Sequence, residues 1–267
     1  MPLAVCATPI GNLDDVTLRV LQELAEADFV LCEDTRRTQT LLRRHRIHVR
    51  LLSYHEHNEA ARTAEILPRL RAGERVALVS DAGLPGISDP GARLVGAALH
   101  AGVEVTVLPG PSAVETALVA SGLVGERYQF VGYLPRGGRA LEALWEELRS
   151  WPHPVVAFES PRRLPVTLRS LAAAQPDRPV AVCRELTKRF EEVVRGAAAE
   201  VAGRFSAAPK GEITLVLGAA PASVPDDADA VAAVRELVEA GVSRRRASEL
   251  VAGLTGLPRR RLYETSL

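Results

Sequence analysis

The chain has 267 residues, 47% hydrophobic and 25% charged, and its 33 basic and 33 acidic side chains leave a formal net charge of zero. This is ordinary globular composition, enough for one large domain or two to three small ones, and the global charge points to no partner. No apolar run approaches the roughly 18 residues that span a bilayer, no basic-then-apolar leader opens the sequence, and the scattered Cys6, Cys32 and Cys183 argue against a disulfide framework and fit a reducing cytosol.

Short β-branched runs alternate with helical patterns. Strands are predicted over 3–7, 28–32, 50–53, 75–80 and 104–108, and a second set over 128–132, 154–158, 180–183, 192–195 and 212–217. Helices are predicted over 16–25, 35–44, 59–71, 92–100, 112–120, 140–150 and 162–173. The alternation predicts an α/β protein of two subdomains, the first built on a mainly parallel sheet. Back-to-back strands near Val182 and Val193 predict a mixed second sheet. The expected division is an α/β subdomain over 1–110, a second over 111–221, a linker over 222–229 and a helical element over 230–267. The Pro-rich, acidic stretch "AAPASVPDDAD" marks the linker. Beyond it, Val231, Val234, Leu237 and Val238 share one helix face. A helix–turn–helix and a plain three-helix cap are both compatible with that tail.

Ligands of open α/β sheets bind beyond the carboxyl ends of the strands. The first five strands are followed by "TPIGNLDDVT", "EDTRRT", "YHEHNE", "SDAGLPGISDPG" and "PGPSA", whereas returns such as "RAGER" and "HAGVE" are bland. This asymmetry marks one functional edge. A dinucleotide is not its ligand: GxGxxG and GxxxxGK[ST] are absent, and Pro9 removes a donor where a phosphate loop needs free N–H groups. Asp81, directly after a strand, suits a cationic group or a ribose hydroxyl, or is a turn aspartate. Asp89 and Pro90 read as the N-cap and first residue of the next helix, and Ser160 as the N-cap of another.

Charge is uneven despite the zero balance. Residues 35–50 hold Arg36, Arg37, Arg43, Arg44, Arg46 and Arg50 and no acid, and residues 241–267 hold Arg244, Arg245, Arg246, Arg259, Arg260 and Arg261 against Glu249 and Glu264. Such patches attract phosphate backbones; the alternative is a solvated helix face.

In order along the chain, "TPIGNLDDVT", "ADFVLCEDTRRT", "SYHEHNE", "SDAGLPGISDPG", "LPGPSA", "FVGYLPR", "FESPRR" and "CRELTKRFEE" together resemble the tetrapyrrole methylase superfamily. Within it they resemble the branch that 2′-O-methylates a cytidine in the decoding region of 16S rRNA. The resemblance covers residues 3–267; Leu84 departs from it, where many relatives carry Thr. It implies S-adenosylmethionine, folded between two α/β halves, and a homodimer. By the same resemblance, Pro9, Ser80, Asp81, Ala82, Leu84, Ser112 and Ala113 line the cofactor on one side, and Phe158, Glu159, Glu185 and Leu186 on the other.

For a ribose hydroxyl to attack a sulfonium methyl, its proton must leave. His55 and Glu33, at strand ends on the functional edge, are the candidate bases. The "HEH" at 55–57 lacks a further Cys/His pair at metal-binding spacing, and no metal is assigned. Arg36 and Arg37 are candidates to hold phosphates flanking the reacting nucleotide. Asn58 is a candidate RNA contact or a helix cap. Arg43, Arg44 and the six tail arginines complete the expected rRNA surface, in the cytoplasm, with the small ribosomal subunit or its assembly intermediate as partner and no membrane. The alternatives are a methyltransferase of a corrinoid or porphyrinoid precursor, and a non-catalytic RNA-binding protein on the same fold.

Overall fold

The computed structural model describes residues 2–87, 89–220 and 227–266. Strands β1 (Leu3–Cys6), β2 (Phe29–Cys32), β3 (Leu51–Ser53), β4 (Val76–Val79) and β5 (Val105–Leu108) pair in the order β3-β2-β4-β1-β5, every pairing parallel. A parallel sheet covered on both faces needs continuous apolar strands. LAVC, FVLC and VALV supply them, and β1, β2 and β4 are buried throughout.

The period-2 alternation of these strands sorts side chains onto two cores. Ala4, Cys6, Val30, Cys32, Ala77 and Val79 pack with Val20 and Leu24 of α1 (Leu18–Glu26) and Leu42 of α2 (Thr35–Arg44). Leu3, Val5, Phe29, Leu31, Val76 and Leu78 pack with Ile66 and Leu70 of α3 (Glu59–Arg71) and Leu94 and Ala98 of α4 (Ala92–His100). The chain leaves β1 toward β2 and leaves the neighbouring β4 toward β5 on the opposite side. Their loops therefore diverge and open a crevice at the carboxyl end of the sheet, the usual ligand position in such folds.

The second sheet has the order β6-β7-β10-β8-β9, with β6 (Gln129–Tyr133) parallel to β7 (Val155–Glu159) and β8 (Pro179–Arg184), β9 (Glu192–Ala197) and β10 (Ile213–Leu217) joined antiparallel. Val114, Ala117 and Leu118 of α5 (Ala113–Ser121) pack on Val156, Ala181, Cys183 and Val216 of this sheet, and Ile10, from the loop after β1, enters the same cluster. The first-half loop is thus built into the second half's core. Helices α6 (Gly138–Glu147), α7 (Leu164–Ala174) and α8 (Ala198–Arg204) complete this part. The sequence reading lacks α8, which follows β9 with no intervening turn residue.

The expected N-caps at Asp89 and Ser160 are corrected. Gly91 is the N-cap of α4, at φ 140, and Arg163 that of α7. A side chain is disfavoured there: the backbone conformation favours glycine, and a Cβ would meet Leu78 Cδ2 at 3.1 Å and the Gly86 nitrogen at 3.3 Å. The helix therefore starts three residues after Asp89, whose carboxylate is released from capping.

Residues Met1–Glu147 and His153–Ala219 form one compact unit, and Leu148–Pro152 and Ala220–Leu267 a second. In the second, α9 (Asp227–Glu239), α10 (Arg244–Thr255) and α11 (Arg259–Thr265) enclose Ala230, Val234, Ala247, Val251 and Leu262. Val231, Leu237 and Val238 pack against that core, as their shared face predicts. Residues 221–226, most of the expected linker, lie outside the described residues, and α9 opens at Asp227, within that stretch. No helix among the described residues is long and apolar enough to cross a membrane.

Candidate active site

The loops after β1 and β4 are fastened to each other. Thr8 N–H donates to Gly83 O (2.8 Å), Gly83 N–H donates to Thr8 O (3.0 Å), and the Thr8 hydroxyl donates to Ser80 O (3.1 Å). Beside this clasp lies a cleft of about 280 Å³ lined by Thr8, Pro9, Ile10 and Gly11, by Arg37 and Thr38 of α2, by Ser80, Asp81 and Ala82, and by Lys188 and Glu212 from the second half. Of the residues expected around a cofactor, Pro9, Ser80, Asp81 and Ala82 line it directly. Ala82, Ala113, Phe158 and Leu186 share the apolar cluster behind it. Leu84 instead packs against the first sheet's core. Ser112 stands at the N-cap of α5 and donates to Glu115.

The cleft's second-half wall is a tightly held turn. Lys188 Nζ bridges Glu185 and Glu212 at 2.8 Å each. Those carboxylates hold the lysine pKa up against the opposing effect of burial, and Lys188 holds that of Glu185 down. Glu185 and Thr187 both have left-handed backbones, at φ 54 and φ 64. Thr187 Oγ1 accepts from Asn12 N–H at 2.9 Å. Gly11 permits this approach: a Cβ there would stand 2.5 Å from Lys188 Cγ, 2.6 Å from Thr187 Oγ1 and 2.7 Å from Leu186 O.

Glu159, read from the sequence as a cofactor contact, is engaged elsewhere. Its side chain is 0% exposed. Oε1 accepts from Ser160 N–H (2.6 Å) and from the Arg163 guanidinium, and Oε2 accepts from the Thr167 hydroxyl (2.5 Å). Arg163 also donates to Leu134 O (2.8 Å) and Pro135 O (3.1 Å). "FESPRR" thereby clamps the end of "FVGYLPR".

A second cavity, about 570 Å³, is lined by Glu33, His55, Glu56, His57, Glu59, Asp89 and Arg93, among others. It adjoins the first. The Ser80 hydroxyl donates to Gly83 O (3.1 Å) and Ala82 O (3.2 Å), and Asp81 interacts electrostatically with both Glu33 and Asp89. Burial, then Glu33 and Asp81, raise Asp89 to about 6, and burial followed by Asp81 raises Glu33. Tyr133, at the end of β6 with its ring edge-on to Phe158 (5.5 Å), is raised by partial desolvation and then by Asp89. The sequence shows no sign of these couplings, because Tyr133, Glu33 and Asp89 lie far apart along the chain.

The two expected bases share this second cavity, but Arg36 lines neither. Its side chain is 90% exposed and folds back on Asp34 at 2.7 Å. That bond, together with the Arg36 backbone N–H, holds Asp34 down to about 2. Arg37 reaches Asp81 at 3.6 Å. Asn58 occupies the N-cap of α3 without capping it: Oδ1 accepts from His55 N–H (2.9 Å), and Nδ2 faces Ser53 O (3.2 Å) and His55 Nε2 (3.2 Å). Burial raises the Cys6 and Cys183 thiols to about 12 and 11, so they are inert packing groups. Among the described residues no group of three or more His, Cys, Asp or Glu could hold a metal ion.

Arg36, Arg37, Arg43 and Arg44 are all exposed on α2, seven residues apart in pairs and hence on one face, with Thr38, Leu41 and Leu42 turned inward. Arg44 pairs with Asp14 at 2.8 Å. In the second unit, Arg244, Arg245 and Arg246 occupy the first turn of α10, and Arg259, Arg260 and Arg261 that of α11. Cations in a first turn oppose the helix dipole, typically by about 0.3–1 kcal/mol each. Neither first turn holds an acid.

The family model of tetrapyrrole (corrin/porphyrin) methylases matches residues 2–202, and that of the RsmI C-terminal HTH domain matches residues 224–267. A ribosomal RNA small subunit methyltransferase I of Micromonospora olivasterospora is 43% identical over 98% of this chain and 85% of its own. That of Thermotoga maritima is 48% identical over 80% of this chain and 97% of its own. Among solved structures, the methyltransferase CobJ superposes with a TM-score of 0.62 at 21% identity, covering 82% of this chain and 94% of its own. A uroporphyrin-III C-methyltransferase of Thermus thermophilus complexed with S-adenyl homocysteine superposes at 0.57 and 21% identity, covering 81% and 96%. Those two likenesses concern the fold. The family matches and the near full-length relatives go further: the chain belongs to the tetrapyrrole methylase family, in its ribosomal RNA small subunit methyltransferase I branch.

Proposed function

We propose that this protein transfers a methyl group from S-adenosylmethionine to the ribose 2′-hydroxyl of a cytidine in the decoding region of 16S rRNA, on the small subunit or its assembly intermediate. A cytoplasmic homodimer is part of the same reading. The observation that carries it is a carboxylate-edged cleft beyond a parallel sheet, beside a helix face of exposed arginines.

The cleft's chemistry suits the methyl donor. A sulfonium and an ammonium need anionic neighbours: Asp81 and Glu212 line the cleft, facing Arg37 and Lys188 respectively, and Glu33 and Asp89 stand behind it with no ion pair among the described residues. Backbone of residues 8–11 and 80–82 offers close approach to the nucleoside, and Ile10, Ala82, Ala113 and Phe158 supply apolar surface. Bound there, the cofactor supplies an electrophilic methyl. This chain's own residues hold the acceptor ribose in line, exclude water and take its proton. Positioning of that kind is worth about 7–11 kcal/mol.

Exposed arginines of α2 and of the C-terminal helices suit an RNA backbone, and aromatic residues, 4% of the chain, are too few for stacking to dominate. A corrinoid or porphyrinoid acceptor would share the fold but gains nothing from these arginines. A non-catalytic RNA binder would not need the fastened cofactor loops. Arg245→Glu distinguishes a phosphate-binding role from a structural one. It improves the α10 dipole, so the melting temperature stays constant or rises slightly. Affinity for 16S rRNA, measured by fluorescence anisotropy across a salt series, falls and the salt slope flattens by about one or more phosphate contacts. Unchanged RNA affinity contradicts the rRNA reading of this helix.

A further inference from the structure

We propose that Asp89 is the residue that accepts the proton of the attacking ribose hydroxyl, in the cavity that it lines together with Glu33. The inference rests on the methyl-transfer reading above and deepens it.

The reaction requires an acceptor. The O2′–H bond breaks, its proton goes to a carboxylate oxygen, and O2′ forms a bond to the methyl carbon. The carbon–sulfur bond breaks with its electron pair to sulfur, so the sulfonium becomes a neutral thioether and the carboxylate a neutral acid, which then releases its proton to water. The acceptor must be unpaired with a cation, withdrawn from bulk solvent and facing a space large enough for a nucleoside.

Most acidic and basic groups at this edge fail one of those conditions. Asp34 is held by Arg36 through two bonds, at 3.0 and 2.7 Å. Asp81 accepts from Asp34 N–H at 3.0 Å and faces Arg37 at 3.6 Å. Glu59 pairs with Arg93 at 3.2 Å, and Glu185 and Glu212 share Lys188. Glu159 is closed inside its clamp with Arg163. Glu56 and His57 are exposed to solvent. His55 fails for a different reason. Asn58 Oδ1 is committed to His55 N–H, so Nδ2 points at His55 Nε2, which must accept. The ring proton then sits on Nδ1, which is buried without a partner. Neither ring nitrogen is open to a substrate hydroxyl.

Glu33 and Asp89 are left, both half-buried in the lining of the 570 Å³ cavity. Asp89 has the better position: Arg37 and His55 both act on Glu33, whereas Asp89 has no cationic partner among the described residues. The chain reaches this geometry because α4 starts at Gly91 rather than at Asp89. The charged and titratable groups around Asp89 are Glu33 from the end of β2, Asp81 from the end of β4, Tyr133 from β6, His55, Glu56, His57 and Glu59 from the β3–α3 connection, and Arg93 from α4. The carboxylates outnumber the single arginine, and with burial they bring Asp89 to about 6, where it is ionised at neutral pH yet more basic than an ordinary aspartate.

The test is single-turnover methyl transfer from labelled S-adenosylmethionine to unmethylated small ribosomal subunits between pH 5 and 8, with cofactor affinity measured in parallel by calorimetry. The wild-type rate rises tenfold per pH unit below an inflection near 6 and levels off above it. Asp89→Asn lowers the plateau by about 10²–10⁴-fold, removes the inflection and leaves the cofactor Kd within about twofold. Asp89→Glu restores part of the rate. Glu33→Gln removes a neighbouring charge and moves the inflection to lower pH. An Asp89→Asn protein that keeps both rate and inflection overturns the assignment, as does an inflection lost only with His55→Gln. Carboxyl-carbon NMR of aspartate-labelled protein gives a readout independent of turnover: one aspartate titrates near 6 and is missing from Asp89→Asn. Absence of that resonance overturns the proposal. Failure of the wild type to methylate any subunit form instead overturns the rRNA reading.

Discussion

Arg163→Met will destabilise the protein by about 3–5 kcal/mol, the usual cost of leaving a buried charge without its partner. The Glu159 side chain is fully buried, and its remaining donors are a backbone N–H and the Thr167 hydroxyl. The loss also frees Leu134 O and Pro135 O at the end of β6. Urea denaturation should show a lower midpoint at unchanged slope. At about 2–4 °C per kcal/mol for a chain of this size, the melting temperature should fall by on the order of ten degrees. Glu159→Gln combined with Arg163→Met should recover most of the loss, because no bare carboxylate then remains. A single variant within about 1 kcal/mol of wild type contradicts this account of the clamp and returns Glu159 to the list of possible cofactor contacts.

Gly11→Ala will open the cofactor cleft. The new methyl group would overlap Leu186 O, Thr187 Oγ1 and Lys188 Cγ, and the turn that carries them already holds two non-glycine residues in left-handed backbone. Such a turn has little room to yield. Overpacking should cost about 1–3 kcal/mol, and displacement of Lys188 should weaken S-adenosylmethionine binding at least tenfold by calorimetry. Gly73→Ala is the control: Gly73 also has positive φ, at 89°, but a Cβ there meets nothing within 4 Å. It should lose some stability to backbone strain and no cofactor affinity. Equal affinity losses in both variants would mean that crowding at Gly11 is not the cause.

The ten strands and the division into a parallel and a mixed sheet were legible because strand-forming residues, helix periodicity and turn residues agree along most of the chain. The strand-end loops were legible for the same reason: a polar or glycine-rich motif after a buried strand has little other use. Local reading failed where a residue's role depends on the partner it meets in space. Asp89-Pro90 has the local chemistry of a helix start, yet the N-cap falls at Gly91, whose φ of 140 ends the preceding loop two residues downstream. Glu159 lies in a motif that resembles a cofactor contact, and only its burial beside Arg163 and Thr167 gives it a structural role. Arg36 and Arg37 are adjacent in sequence, yet one lies on Asp34 in solvent and the other faces Asp81 in the cleft. Helix α8 was missed because its alanines follow a strand without punctuation.

The central claim is most directly tested by incubating the protein with methyl-labelled S-adenosylmethionine and small ribosomal subunits from cells lacking this activity, then mapping the label by nuclease digestion and mass spectrometry. The account predicts one labelled nucleotide in 16S rRNA, a cytidine of the decoding region, with the methyl group on its ribose 2′-oxygen. Label on a base, label scattered over many nucleotides, or transfer only to a corrinoid or porphyrinoid precursor would contradict it.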